Sequence, residues 1–189
     1  MYFTPLIPLL LAAPSLVSPL PTTGGSKRSC TIQFPDVAVT FSQLSPESSD
    51  PGILMARTGG PGTNDIKAGI TFNGIPTGAT GCMLSFALPP VTSPNEFAVG
   101  ANNFDVFGVS APITTSTDWN NQPSTTTKWA SMDVPEWVQT QPFQTVLMSD
   151  TCSPTMSFLL QLSDWQQQAG QVAIPVDGVT SGFWMTYNC

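Results

Sequence analysis

The chain has 189 residues, of which 41% are hydrophobic and only 9% are charged, and it contains no histidine. Twelve acidic residues outnumber five basic ones, so the surface repels phosphate backbones and anionic membrane surfaces, and we expect no nucleic-acid partner. The length suits a single domain, and low charge with abundant Gly, Pro, Ser and Thr is typical of an extracellular all-β protein with many turns.

The amino terminus has the features of a secretory signal. The apolar run from Pro5 to Ala13 is too short to span a bilayer and is followed by small residues. We therefore expect a signal peptide over residues 1–18, cut between residues 13 and 18, and no membrane span. A linker or pro-segment over residues 19–28 follows and ends in the dibasic pair Lys27-Arg28, which resembles the processing site of Kex2-type secretory proteases.

The rest of the chain, residues 29–189, is a succession of short strand-like segments separated by turn-rich stretches. Ten segments alternate apolar with small or polar residues: Cys30 to Phe34, Val37 to Phe41, Ile66 to Phe72, Cys82 to Leu88, Phe104 to Val109, Lys128 to Val134, Phe143 to Met148, Met156 to Leu162, Gln171 to Val176 and Gly182 to Tyr187. Only Ser163 to Gly170 could form a short helix. The pattern predicts one all-β domain, an antiparallel, jelly-roll-like β-sandwich of about ten strands with little or no helix.

Four cysteines lie in this domain, namely Cys30, Cys82, Cys152 and Cys189. An even number in a secreted chain predicts two disulfides. Three pairings are open, and we favour Cys30–Cys82 and Cys152–Cys189 because each joins the edges of neighbouring strand-like segments. The wide spacing and the absence of histidine argue against a metal site, and we expect neither a metal nor another cofactor.

Two stretches and the ending carry a family resemblance. Within Ala68 to Pro90 an Ile-Pro turn leads into a Cys-x-Leu-x-Phe-x-Leu-Pro strand, and the chain closes on Tyr-x-Cys; the positions are Ile75, Pro76, Cys82, Leu84, Phe86, Leu88, Pro89, Tyr187 and Cys189. With the opening Cys30 to Pro35, these motifs resemble secreted ascomycete proteins that carry the But2 C-terminal-type domain. The resemblance covers Cys30 to Cys189.

What this resemblance implies is a secreted β-sandwich domain without a defined biochemical role. The family is named for a relative that binds a ubiquitin-like protein. A cytosolic ubiquitin-like partner disagrees with the predicted signal peptide and disulfides, so that partner is not transferred to this chain.

Tryptophan is the residue type that most favours a binding function, because indole rings can stack on the C–H faces of sugars. Of the five tryptophans, Trp119 lies in a polar loop and is the best candidate for exposure, while Trp129, Trp137 and Trp165 are further candidates. Trp184 lies in an alternating strand and is assigned to the core. Aromatic residues pack inside proteins more often than they bind ligands.

One pair of acids could support catalysis. Asp133 and Glu136 flank Val134-Pro135 and lie beside Trp129 and Trp137, which is the composition of a glycosidase cleft. Most acids of this chain, however, lie singly in turns, where their side chains form Asx-turn hydrogen bonds. Catalysis by this pair is therefore only an alternative.

The leading hypothesis is a secreted, non-catalytic β-sandwich that binds a glycan, a host component or another protein outside the cell or in the cell wall. The first alternative is a glycan-active hydrolase that uses Asp133 and Glu136. The second is a structural wall or extracellular-matrix protein, retained by O-linked glycans on the loop from Thr114 to Thr127, which predicts no defined pocket.

Overall fold

Strands and turns make up the whole of the chain that the computed structural model describes, which is residues 30–176 and 181–189. Within these ranges there are thirteen strands: β1 (Thr31–Gln33), β2 (Val37–Ser42), β3 (Ser45–Pro51), β4 (Ile53–Arg57), β5 (Ile66–Asn73), β6 (Cys82–Leu88), β7 (Ala98–Gly100), β8 (Asn103–Val109), β9 (Thr125–Asp133), β10 (Phe143–Asp150), β11 (Thr155–Leu162), β12 (Gly170–Ile174) and β13 (Gly182–Tyr187). The predicted all-β class is confirmed. The predicted signal peptide, the linker and the Lys27-Arg28 pair lie outside the described residues.

Each of the ten predicted strands overlaps an observed strand, whereas β3, β4 and β7 were not predicted. Strand β3 pairs with β2 alone. It is therefore an edge strand, a position in which Pro46 and Pro51 do not remove a hydrogen bond from the sheet. The only candidate for a short helix, Ser163 to Gly170, is not helical: residues 163–169 form a turn region between β11 and β12, and Gly170 begins β12.

The strands are arranged in two antiparallel sheets. The small sheet has the order β1-β13-β6-β10, and the large sheet has the order β7-β12-β4-β5-β11-β8-β9. Strand β2 pairs with β5 on one side and with β3 on the other, outside this order. Gly52, with φ at 121°, lies between β3 and β4. Its positive φ lets the chain change direction, so that β3 pairs with β2 whereas β4 pairs with β12.

The main core lies between the sheets and is built around three phenylalanine rings. Phe86 of the small sheet contacts Phe104 of the large sheet edge to face, with ring centroids 5.7 Å apart. Phe183 lies 4.9 Å from Phe86 and 6.2 Å from Phe104. All three side chains are fully buried, so these rings join the two sheets.

A second apolar cluster covers the outer face of the large sheet. It consists of Val39, Phe41, Ile113 and Leu159, and Ile113 comes from the loop between β8 and β9. A Cβ atom on Gly69 would lie 2.6 Å from the Ile113 side chain, so the absence of a side chain there gives the loop room to pack. The loop is also held by Thr71, whose hydroxyl donates to the carbonyl oxygen of Ile113 at 2.7 Å.

The disulfides are Cys30–Cys189 and Cys82–Cys152, with Cα atoms 4.4 Å and 5.1 Å apart. The prediction of two disulfides is confirmed, but the favoured pairing is wrong. The favoured disulfide pairing assumed that strand-like segments which are close in sequence are also neighbours in space. Instead, β1 pairs with the last strand, β13, and β6 pairs with β10, so each cysteine meets the one at the end of its neighbouring strand.

We predict that each disulfide contributes about 4 kcal/mol to the free energy of unfolding, because both close long loops in the unfolded chain. The loops span 159 and 70 residues. The measurement is guanidinium denaturation of the double variants Cys30→Ser/Cys189→Ser and Cys82→Ser/Cys152→Ser against the wild type.

The matched control is the crossed variant Cys30→Ser/Cys82→Ser, which takes one cysteine from each disulfide. Titration of thiols in denaturant should find two free thiols in this crossed variant and none in either paired variant. Free thiols in the paired variants would contradict the observed connectivity.

Candidate ligand-binding groove

The outer face of the small sheet carries an open groove of about 460 Å³. It is lined by Ile32, Phe34, Ala87, Pro142, Phe143, Gln144, Ser181 and Trp184. None of the described residues that line it is charged. We call this feature the Trp184 groove.

The register of the strands explains why a groove forms here. Side chains alternate along a strand, so the burial of Phe183 and Met185 between the sheets directs Trp184 to the outer face. Ala87 lies opposite Gly182 in the neighbouring strand. Because these two residues are small, the floor of the groove is low between the larger side chains of its walls.

The walls of the groove leave apolar surface in contact with water. Ile32 is 59% exposed and Phe34 is 40% exposed, and Trp184 is half-buried. Isolated exposed apolar residues are common, but a contiguous set around a concave surface is typical of a binding site. A ligand that covered these side chains would gain about 25 cal/mol for each Å² of apolar surface removed from water.

Trp184 is the candidate binding residue that sequence reasoning missed. The assignment of Trp184 to the core is wrong, since its neighbours Phe183 and Met185 fill the core instead. The signal was the alternation itself, which separates Phe183, Met185 and Tyr187 from Trp184 and Thr186. Both sets contain an aromatic residue, however, so the pattern alone did not decide which set faces inward.

Trp119, the tryptophan predicted to be most exposed, is half-buried. It packs against the second apolar cluster, and the Lys67 ammonium lies 4.9 Å from the centre of its ring. Burial lowers the pKa of Lys67, and the nearby carboxylates of Asp65 and Asp164 oppose this shift. Trp119 therefore holds the loop against the large sheet.

The other three candidate tryptophans differ in their exposure to water and do not lie together in one site. Trp137 is 73% exposed and Trp165 is 65% exposed, each in a turn region. Trp129 is half-buried and packs against the main core. None of the four predicted aromatics is among the described residues that line the Trp184 groove.

The candidate catalytic acids, Asp133 and Glu136, lie on either side of a buried residue. Val134 between them is fully buried, and its backbone N–H donates to the carbonyl oxygen of Asn102 at 3.1 Å. Asp133 is exposed and Glu136 is half-buried, and neither lines the Trp184 groove. The described geometry gives no support to the hydrolase alternative.

A buried carboxylate that the sequence did not single out is Asp105, which is 4% exposed. It accepts hydrogen bonds from the hydroxyls of Ser131 at 2.7 Å and Ser163 at 2.5 Å, and the Lys128 ammonium lies 2.7 Å from its other oxygen. A buried charge needs such partners. Asp105 is therefore saturated by structural contacts that join β8, β9 and the turn after β11.

In residues 30–176 and 181–189, no group of three or more metal-ligating side chains lies together. The same residues contain no helix that is long and apolar enough to cross a membrane.

The fold is a disulfide-linked antiparallel β-sandwich with an open, uncharged groove on the outer face of one sheet. The family model for the ubiquitin 3 binding protein But2 C-terminal domain matches residues 33–167. The chain therefore belongs to the But2 C-terminal domain family, as its motifs predict. No curated protein matches the chain.

We predict that acid loosens the turn before β7, because Glu96 holds it. The Glu96 carboxylate accepts hydrogen bonds from the backbone N–H groups of Thr92 and Ser93, at 2.6 and 3.1 Å, and from the Thr92 hydroxyl at 2.9 Å. These bonds lower its pKa below the usual 4.5. The folded protein then binds fewer protons than the unfolded chain near that pH, so stability from Glu96 falls as the pH falls below about 4.5.

The measurement is the free energy of unfolding between pH 3 and 7 for the wild type and for Glu96→Gln. The variant should be less stable at neutral pH and should lose less stability in acid. Glu47→Gln, on the edge strand β3, is the charge-matched control. If Glu96→Gln and Glu47→Gln changed the free energy of unfolding equally, the cause would be the net charge, and the role of the Glu96 hydrogen bonds in the turn would be contradicted.

Proposed function

We propose that this domain is a secreted, non-catalytic binding protein that holds a partner protein in the Trp184 groove. The observation that carries the proposal is an uncharged, apolar groove that is open to water in an otherwise acidic chain. A structural wall protein does not need such a concave surface. The partner is expected to present apolar side chains.

The chemistry of the lining favours a protein over a glycan at this groove. Of the eight described residues that line it, only Gln144 and Ser181 have polar side chains apart from the indole N–H of Trp184, whereas sugars need several hydrogen-bonding groups around an aromatic ring. Strand β1 ends the small sheet and has no neighbour on its outer side among the described residues. Its backbone could therefore pair with an extended segment whose alternate side chains enter the groove.

The family description supports the same class of ligand. The relative for which the family is named is described as a ubiquitin 3 binding protein, which is a protein that binds a protein. Only the class of partner is carried over here, because the predicted signal peptide and the two disulfides point to an oxidising compartment outside the cytosol.

Secretion and processing are part of this proposal. The support is the apolar run from Pro5 to Ala13, the pair Lys27-Arg28 before the first cysteine, and the two disulfides. Expression of the full chain in a yeast secretory host should give a product in the medium that starts at Ser29. Substitution of Lys27-Arg28 by Ala-Ala should leave a longer product, and an identical amino terminus for both chains would contradict processing at this pair.

The groove is tested with extended peptides. A displayed library of random peptides, selected on the wild-type protein, should yield sequences with alternating aromatic or aliphatic residues. Trp184→Ala should weaken the binding of the selected synthetic peptides by about tenfold or more, because a large aromatic contact at the centre of an interface is lost.

Two further variants sharpen this test. Ile32→Lys places a charge at the groove wall on an exposed position and should also weaken binding, while Trp165→Ala removes an exposed indole elsewhere and should leave it unchanged. Peptides rich in charged residues, or equal binding by Trp184→Ala and the wild type, would overturn the assignment.

A further inference from the structure

A second groove, of about 220 Å³, opens where the edges of the two sheets meet at β9 and β10. It has a different character from the Trp184 groove. One indole, Trp129, lines it together with a set of polar side chains: Thr126, Asp150, Thr151, Ser153 and Thr155. We call this feature the Trp129 groove.

A β-bulge places Trp129 in this groove. Ala130 pairs with Val106, but the next pair of residues is Lys128 with Phe107, so Trp129 has no partner in β8. Lys128 and Asp105 meet on one face of the large sheet. The extra residue lets Trp129 turn away from that face and pack against the main core at the edge of the sheet.

Gly108 makes room for the indole. A Cβ atom at this position would lie 3.0 Å from Trp129 Nε1 and 2.9 Å from the Thr126 hydroxyl oxygen. With only a hydrogen atom there, both side chains lie directly against the backbone of β8. The bulge and the glycine together fix the place of the ring.

The polar groups around the ring are free to meet a ligand. Among the described residues, the hydroxyls of Thr126, Thr151 and Ser153 have no hydrogen-bond partner. Asp150 uses one carboxylate oxygen to accept from the N–H of Thr151 at 2.7 Å, and its second oxygen has no partner in the described structure. The disulfide Cys82–Cys152 anchors the segment that carries Asp150, Thr151 and Ser153 to β6.

From this arrangement we propose that the Trp129 groove is a glycan-binding subsite that takes a neutral sugar unit. The indole offers a flat face for sugar C–H groups, the free hydroxyls and the free carboxylate oxygen offer partners for sugar hydroxyls, and neither Lys nor Arg is among the described residues that line the groove. The exposed Asp150 carboxylate disfavours uronic acids and other anionic sugars by charge repulsion.

The experiment is isothermal titration calorimetry of the disulfide-intact protein with neutral oligomers of glucose, mannose and N-acetylglucosamine, and with galacturonic acid oligomers. At least one neutral oligomer should bind and the galacturonic acid oligomers should not. For the neutral oligomer, Trp129→Ala should weaken binding by about tenfold or more, and Trp129→Phe should retain more affinity than Trp129→Ala because it keeps an aromatic face.

Variants at exposed positions keep the test decisive if Trp129→Ala does not fold. Asp150 and Ser153 are exposed, so Asp150→Asn and Ser153→Ala should each weaken sugar binding without changing the folded structure. Trp184→Ala is the control for location, since it should weaken peptide binding in the other groove by about tenfold or more and leave sugar binding intact.

The proposal would be overturned by no binding of any neutral oligomer, by preferred binding of the galacturonic acid oligomers, or by sugar affinity that is unchanged in both Asp150→Asn and Ser153→Ala. Loss of sugar binding in Trp184→Ala would place the sugar in the other groove and would also overturn it. Failure of the peptide test alone leaves this inference standing, because it concerns other residues.

Discussion

The packing of Phe86, Phe104 and Phe183 between the sheets is the constraint on which the rest of the structure depends. Side chains alternate strictly along a strand, so the burial of one residue fixes the face of its neighbours. Once Phe183 is in the core, Trp184 must face outward. The Trp184 groove is thus a consequence of how the core is filled, and a shift of β13 by one residue would bury Trp184 and remove the groove.

The few basic residues of the described chain are all engaged. Lys128 pairs with the buried Asp105, Arg57 lies 3.9 Å from Asp164, and Lys67 lies over Trp119. Each of these contacts holds a loop or an edge strand against the large sheet. The surface that is left for ligands is consequently neutral or acidic, which suits apolar peptides and neutral sugars better than nucleic acids or anionic sugars.

Sequence alternation was sufficient to predict the all-β class and ten of the strands, because alternation reflects burial on one face of a sheet. It failed where local pattern and tertiary position disagree. Strand β3 carries two prolines and acidic residues and forms only because it lies at an edge. The disulfide pairing failed because β1 and β13 are neighbours in space and distant in sequence.

The tryptophans show that local sequence pattern also fails to predict which side chains line a site. Exposure of Trp119 was inferred from its polar loop, but that loop packs on the sheet through Ile113. Trp129, a further candidate in the sequence, lines a groove, yet the bulge that places it there is a matter of register between β8 and β9. A bulge has no reliable signature in one strand alone, since it depends on which partner residues are opposite.

The two grooves relate differently to the family match. The match covers residues 33–167, which includes Gly108, Trp129, Asp150 and the Cys82–Cys152 disulfide. Ile32 and Trp184 of the other groove lie outside it, on β1 and β13. Strand β1 pairs with the last three residues of β13, and Cys30–Cys189 joins the ends of the two strands. Of the two disulfides, Cys30–Cys189 therefore acts on the Trp184 groove most directly. Reduction of Cys30–Cys189 should therefore weaken peptide binding in the Trp184 groove before it weakens sugar binding in the Trp129 groove, because Cys82–Cys152 holds the second groove.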